Sequence, residues 1–301
     1  MRLVYSNQLA ANVPAPDLRE LLEAVSEQQL RDRVKKLSVP RNLHVQPEAN
    51  QATARWLAGQ FEQWEYSVEQ SGPSRNVVAL PKILASEMIV VGAHYDSVPQ
   101  TPGADDNASA VAALLGCAEV LAPVQSRVPV CYVAFNGEES GLVGSADFVS
   151  NFLSKAGFKI VETHILEMVG FASAVRGSQK IPTGLPIRLP EAGDFLGLLA
   201  NQASAREMDY VLAQARTYLP DFPVIGLEVP LGAERVLPVL ARSDHVPFWK
   251  AEMPAVMWTD TSEFRNPHYH QSTDTPDTLD YAFLRRVTQL LVACLAERRR
   301  R

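Results

Sequence analysis

The run VPVCYVAF at 128–135 constrains the fold more than any other segment. It is apolar without a break and rich in β-branched and aromatic residues, the mark of a strand buried on both faces. Such strands belong to sheets covered by helices on either side, so the chain is expected to be α/β. The flanking pattern agrees. Residues 108–121 carry Val111, Ala112, Leu115 and Ala118 as one apolar helical stripe, and EMIVV at 87–91 reads as another strand. Further strands are expected at 66–70, 76–80, 160–166, 194–200, 222–229 and 254–259. Helices are expected over 143–155, 204–218 and 276–297, the last with Leu279, Phe283, Val287, Leu290, Leu291 and Cys294 inward. Near the start, Asp17 opens a helical pattern through Leu18, Leu21, Leu22, Val25 and Leu30. A second helix bears Ala54, Leu57, Ala58, Phe61 and Trp64.

Without an internal repeat or a low-complexity linker, this alternation gives one domain over 1–301. It is an α/β sandwich with a central, mostly parallel (mixed) β-sheet flanked by helices. Residues 1–40 read as a helical lead-in and 172–193, rich in Pro and Gly, as a lid or insertion loop. A chain of 301 residues buries a large core without cross-links. Lys and Arg number 28 against 34 Asp and Glu, which leaves no basic face for a nucleic acid. No unbroken apolar stretch of 18 residues marks a membrane span, and the first residues lack the apolar core of a secretory signal. Cys117, Cys131 and Cys294 stand apart, odd in number and without CxxC spacing. They are expected to be reduced, buried thiols of a cytoplasmic protein. Trp56, Trp64, Trp249 and Trp258 are read as core. The oligomeric state is not legible.

The chemistry lies where acids and histidines fall relative to the strands. EMIVVGAHYDS puts His94 and Asp96 just past one strand; VPVCYVAFNGEES puts Glu138 and Glu139 just past another. THILEMVG ends a third at Glu167, and AVMWTDTSEFRNPHYH brings in His268 and His270 after a fourth. In open α/β sheets ligands bind beyond the carboxyl ends of strands, so these loops can converge, with Asp105 and Asp106 of GADDNASA just before a helix. Two imidazoles and several carboxylates without a thiolate suit zinc, manganese or cobalt. Charge sets the number of ions: two divalent ions balance three carboxylates and a hydroxide, whereas one would leave excess negative charge in a sheltered cleft. If 138–139 is extended, the adjacent glutamates point opposite ways, one to the metals and one to the water.

The series GAHYDS, GADDNASA, AFNGEESGLVGS, LEMVG, SDHVPFW, NPHYH and STDTPDTLD resembles the di-zinc aminopeptidases, family 28 of the metallopeptidases, from about residue 30 to the C-terminus. The resemblance implies a zinc-exopeptidase fold and two bound zinc ions. It implies that His94 binds one zinc, that Asp106 bridges both, and that Glu139 and His270 hold the other. Glu138 would be the general base, Asp96 would orient His94, and Tyr269 would donate to the oxyanion. Asp105 and Asp244 would hold loops. In place of the family's usual Asp in its LDM motif stands Glu167, an implied ligand one methylene longer, which bears on the second zinc and on recognition of a free amine. His268 is read as a surface histidine; Arg242 and Arg265 either receive a substrate carboxylate or balance charge. Walls of a specificity pocket are expected from 172–193 and 222–240.

The expected activity is a metal-dependent exopeptidase, an aminopeptidase acting on peptides or small amides. The alternatives are a single-zinc glutaminyl cyclase, a carboxypeptidase or other amide hydrolase on the same fold, and a catalytically silent binding module. A serine hydrolase is disfavoured, because no GxSxG follows a strand.

Overall fold

The computed structural model describes residues 1–298. Among the described residues, nine strands are arranged in one mixed sheet: β1 (Arg2–Tyr5), β2 (Ser67–Ser71), β3 (Asn76–Leu80), β4 (Glu87–His94), β5 (Val130–Phe135), β6 (Lys159–Glu167), β7 (Leu196–Asn201), β8 (Val224–Val229) and β9 (Val256–Thr259). Their spatial order is β1-β8-β7-β9-β6-β4-β5-β3-β2. The helices are α1 (Leu18–Glu23), α2 (Glu27–Leu37), α3 (Pro47–Gln63), α4 (Ala110–Leu121), α5 (Val143–Asp147), α6 (Ala205–Tyr218), α7 (His245–Lys250) and α8 (Tyr281–Arg298).

Every residue of β5 is buried, as its unbroken apolar run requires. One face of the sheet packs on α4, α8 and α6 in a large core that includes Leu115, Leu212, Leu290 and Trp258. The other face packs on Phe148, Phe248 and Trp249 in a smaller core. The stretch Ala104–Val124, apolar and long enough to cross a bilayer, is mostly buried against the sheet as a core helix. All three cysteines are buried and free.

At the centre, β4 pairs in parallel with β5 and β6, and β6 with β9. The carboxyl ends of these four strands therefore meet at one edge of the sheet. Away from the centre the ladders are antiparallel at β1–β8, β2–β3, β3–β5 and β7–β9, so parallel and antiparallel pairings are equal in number.

Three local expectations change. The 1–40 lead-in starts with a strand: β1 pairs antiparallel with β8, a contact across more than two hundred residues that local periodicity does not encode. The helix read from Asp17 is two helices, because the Ser26 hydroxyl accepts the Gln29 amide at 3.3 Å and starts α2 afresh. The helix over 143–155 is regular only in α5, with wider and tighter turns to Lys155. There the Ser150 and Ser154 hydroxyls bond back to backbone carbonyls, a habit that distorts helices.

Candidate active site

The parallel ladders deliver the expected residues to one place. His94 is the last residue of β4 and Glu167 the last of β6; Glu138 and Glu139 follow β5, and His270 lies on the loop after β9. Asp106 sits in an irregular turn before α4, next to a cis peptide to Asn107. That turn is tied down from several sides. Asn107 bridges the Leu166 carbonyl and the Met168 amide, and Asp274 accepts the Asp105 and Asp106 amides at 2.9 and 3.1 Å.

Two groups of donors share Asp106. His94 Nε2 lies 3.3 Å from Asp106 Oδ1 and 3.4 Å from Glu167 Oε2. His270 Nε2 lies 3.0 Å from Asp106 Oδ2 and 3.5 Å from Glu139 Oε2. Tetrahedral zinc holds its ligands at about 2.0–2.2 Å, which sets neighbouring donors about 3.3–3.6 Å apart. The observed spacings are close to that edge. Donor atoms of His94, Asp106 and Glu139 also lie within 4.8 Å of one another. Neither ring nitrogen of buried His94 makes a hydrogen bond of normal geometry, nor does Glu139 Oε1. Orphaned donors of this kind, without a thiolate, fit a borderline divalent cation.

Electrostatics point the same way. Burial pushes the Glu139 carboxyl up to about 9, with Asp106 adding to it. Burial likewise raises Glu138 well above the usual range and brings Asp244 and Asp274 to about 7. Burial alone would lower the His94 imidazole; Glu167, Glu138, Asp106 and Asp96 instead raise it well above its usual value. Protons are held where cations would otherwise neutralise the acids.

Asp96 supports both halves of the cluster. Its carboxylate lies 3.4 Å from His94 Nδ1 and accepts the Glu138 and Glu139 amides at 3.2 and 3.3 Å. The two glutamates are thus presented by a turn around Asp96 rather than by the extended segment read from sequence. Glu138 Oε2 stands further out, 4.0 Å from His94 Nε2. Glu167 is held by Ser243, whose hydroxyl donates to Oε2 at 2.6 Å. Tyr269 stacks on His270 at 3.7 Å, and its oxygen accepts Arg242 Nη2 at 2.8 Å, while Arg242 also pairs with Glu263.

The remaining residues separate cleanly. Asp105 ties loops, accepting the Gly170 amide and the Asn266 side chain. Asp244 is buried and interacts with the Ser145 side chain, though neither of its oxygens makes a hydrogen bond of normal geometry. His268 bonds Thr273, away from the cluster. Arg265 is buried against Gln179, the Phe171 carbonyl and the Phe195 ring, whereas Arg242 lines the cleft. Sequence reasoning missed Arg41, a buried guanidinium bonded to the carbonyls of Tyr95, Pro102 and Gly103 beneath the site. Burial lowers it to about 10, against the pull of Asp96 and Asp106. A cleft opens from the cluster, with walls from Leu185, Ile187, Leu227 and Val239 in the two expected segments.

The model of peptidase family M28 matches residues 76–189 and 229–295, more than half of the chain. An uncharacterized protein of Escherichia coli, YfbL, is 32% identical over 74% of this chain and 71% of its own length. The aminopeptidase YwaD of Bacillus subtilis is 30% identical over 74% of this chain; the match spans 44% of YwaD. Among solved structures, the Legionella pneumophila LapA aminopeptidase superposes with a TM-score of 0.75 at 20% identity, over 96% of this chain and 76% of LapA. A Porphyromonas gingivalis glutaminyl cyclase reaches 0.71 at 19% identity, over 92% and 99%. At such identities the two structures bear on the fold alone. By this family match over more than half of its length, the chain belongs to peptidase family M28, a metallopeptidase as its motifs imply.

Proposed function

We propose that this chain is a zinc-dependent aminopeptidase that hydrolyses the first peptide bond of its substrates; its B. subtilis relative YwaD is named an aminopeptidase. The observation that carries the reading is the pair of donor groups sharing Asp106, spaced like zinc ligands, with Glu138 beside them. In this reading His94, Asp106 and Glu167 would hold one zinc, and Asp106, Glu139 and His270 would hold a second. When bound, zinc supplies Lewis acidity, polarising the scissile carbonyl and acidifying the attacking water.

The chain's own groups do the rest. Glu138 takes the proton from water and returns it to the leaving nitrogen. Asp96 fixes the turn that aims Glu138 and Glu139. Because Tyr269 accepts from Arg242, its own O–H is free to donate to the oxyanion. The buried, unpaired thiols agree with a reducing compartment, and we place the protein in the cytoplasm.

The swap to Glu167 supports a second reading, an amide hydrolase indifferent to a blocked N-terminus. One peptide set with free and acetylated N-termini, before and after chelation and zinc return, decides between them. Cleavage confined to free amines and restored by zinc is expected; cleavage of acetylated peptides establishes the second reading. Loss of ammonia without chain cleavage from an N-terminal Gln peptide refutes both in favour of a cyclase.

A further inference from the structure

The cleft that leads away from the metal-ligand cluster is longer than one amino-acid side chain, and its floor comes from β7, β8 and β1, largely outside the family match. Strand register lays that floor out in rows. Glu167 on β6 stands beside Thr259 on β9, then Gly197 on β7, then Ile225 on β8. The next row runs from Met257 on β9 through Leu199 and Leu227 to Leu3 on β1. Both rows line the cleft. Neighbouring strands are about 4.8 Å apart, so four steps carry the floor about 19 Å from β6 to β1.

The roof is built to match. Leu185, Ile187 and Leu189 alternate with exposed Pro186, Arg188 and Pro190, so an extended strap turns one apolar row down onto the sheet. The Tyr5 hydroxyl donates to the Arg188 carbonyl at 3.3 Å and ties this strap to β1. At Gly197, a Cβ would come within 3.2 Å of the Thr259 carbonyl; glycine keeps the passage open between the cluster and the outer floor.

What fits is decided by polarity. Polar side chains of the cleft, such as Thr259, Thr261, Ser262 and Gln179, lie at its inner part, whereas Leu3, Ile225, Leu227, Ile187 and Leu189 form the outer part. The floor's backbone groups are engaged in the sheet ladders. A peptide there would bury an N–H and a C=O per residue without partners, while an alkyl chain brings none. The leaving side of a peptide substrate must carry backbone, so the apolar cleft belongs to the acyl side of the scissile bond.

We propose that this cleft takes a long unbranched alkyl chain, on the order of a dozen carbons by bond length, attached on the acyl side of the scissile amide. The chain is either the side chain of an N-terminal residue or a fatty acyl group. The proposal rests on the amide-hydrolysing reading above.

Two measurements separate it from that reading. In the first, calorimetry follows binding of straight-chain fatty amides from four to fourteen carbons to the metal-free protein. Affinity is expected to rise about two- to fourfold per methylene to at least ten carbons. In the second, the zinc-loaded enzyme is assayed on anilides of straight-chain 2-amino acids and on fatty acyl anilides of the same lengths. kcat/KM should climb over the same range in one or both series, and the series that climbs identifies the source of the chain. Leu3→Trp and Ile225→Trp should each move the break in the binding curve to shorter chains. A rise that ends at four carbons, or a break that neither variant moves, overturns the proposal even where short anilides are cleaved. A long binding rise without hydrolysis of any anilide keeps the cleft and refutes the hydrolase.

Discussion

Replacing Glu138 with Gln separates proton transfer from metal binding. The ligand pairs lie 3.0–3.5 Å apart, whereas Glu138 Oε2 stands 4.0 Å from the His94 nitrogen. The Glu138 amide donates to Asp96 Oδ1 at 3.2 Å, a bond the variant keeps, so the turn and the neighbouring Glu139 stay in place. Gln preserves shape and removes only the basic oxygen. A positioned general base contributes about 10²–10⁴ in rate, equivalent to about 3–5 kcal/mol of barrier. The expected result is a fall in kcat of that size, KM within a fewfold of the parent and zinc content by mass spectrometry unchanged. Turnover within tenfold of the parent refutes the assignment of Glu138 as base. Loss of zinc together with activity makes Glu138 a ligand and refutes the division of labour between the two glutamates.

Three further outcomes are expected. Ser243→Ala removes the 2.6 Å hydrogen bond to Glu167. A bond to a charged acceptor contributes about 1.5–3 kcal/mol, so competitive chelator titration should show zinc bound tenfold or more weakly; unchanged affinity would mean that Glu167 needs no such support. Arg41→Met strands the carbonyls of Tyr95, Pro102 and Gly103 and removes a buried cation from among acids, and urea unfolding should show a loss of about 3–5 kcal/mol. A loss below 1 kcal/mol would contradict that role. In the metal-free chain Glu139 is pushed up to about 9 and Asp274 to about 7, mainly by burial. Both pKa values exceed those of the unfolded chain near 4. The native state then holds protons that the unfolded state has released, so stability falls as pH rises from about 4 towards 9, and raised His94 adds the same sign. The Tm of metal-free protein should fall from pH 6 to pH 9 and recover most on zinc addition at the alkaline end; a flat or rising Tm speaks against this charge balance.

The chemistry of the cluster is legible in sequence because strand ends are. An unbroken apolar run such as 128–135 states both that a strand is buried and where it stops, and the acids that follow lie at one edge once the strands are parallel. His94, Glu138, Glu139, Glu167 and His270 are all found this way. Partners fixed by distant segments carry no local signal. Ser243 meets Glu167 across 76 residues, and Asp274 reaches the Asp105 amide across 169. Strand β1, a four-residue run that begins with Arg2, becomes a strand only because β8 offers its edge. Arg41 reads as an ordinary loop arginine; its function comes from the carbonyls that close over it.

The division between legible and illegible residues is also a division of labour. Residues matched by the family model contain every proposed metal ligand, Glu138 and Tyr269. The unmatched stretch between 189 and 229, with residues 1–75, supplies β7, β8 and β1, on which the outer cleft is floored. The cluster cannot drift, because a misplacement of one ångström breaks the donor spacing that a metal demands. The floor can, because an apolar side chain on a strand already held by its ladder changes the cleft's length without touching the ladder. Rate should therefore respond to substitutions at Glu138, Asp96 and Tyr269 whatever the substrate. Chain-length preference should respond to Leu3, Gly197 and Ile225. A variant at Leu3 that lowered kcat equally for all chain lengths would show that the two parts of the cleft are not separable, and that β1 is needed to hold the cluster itself.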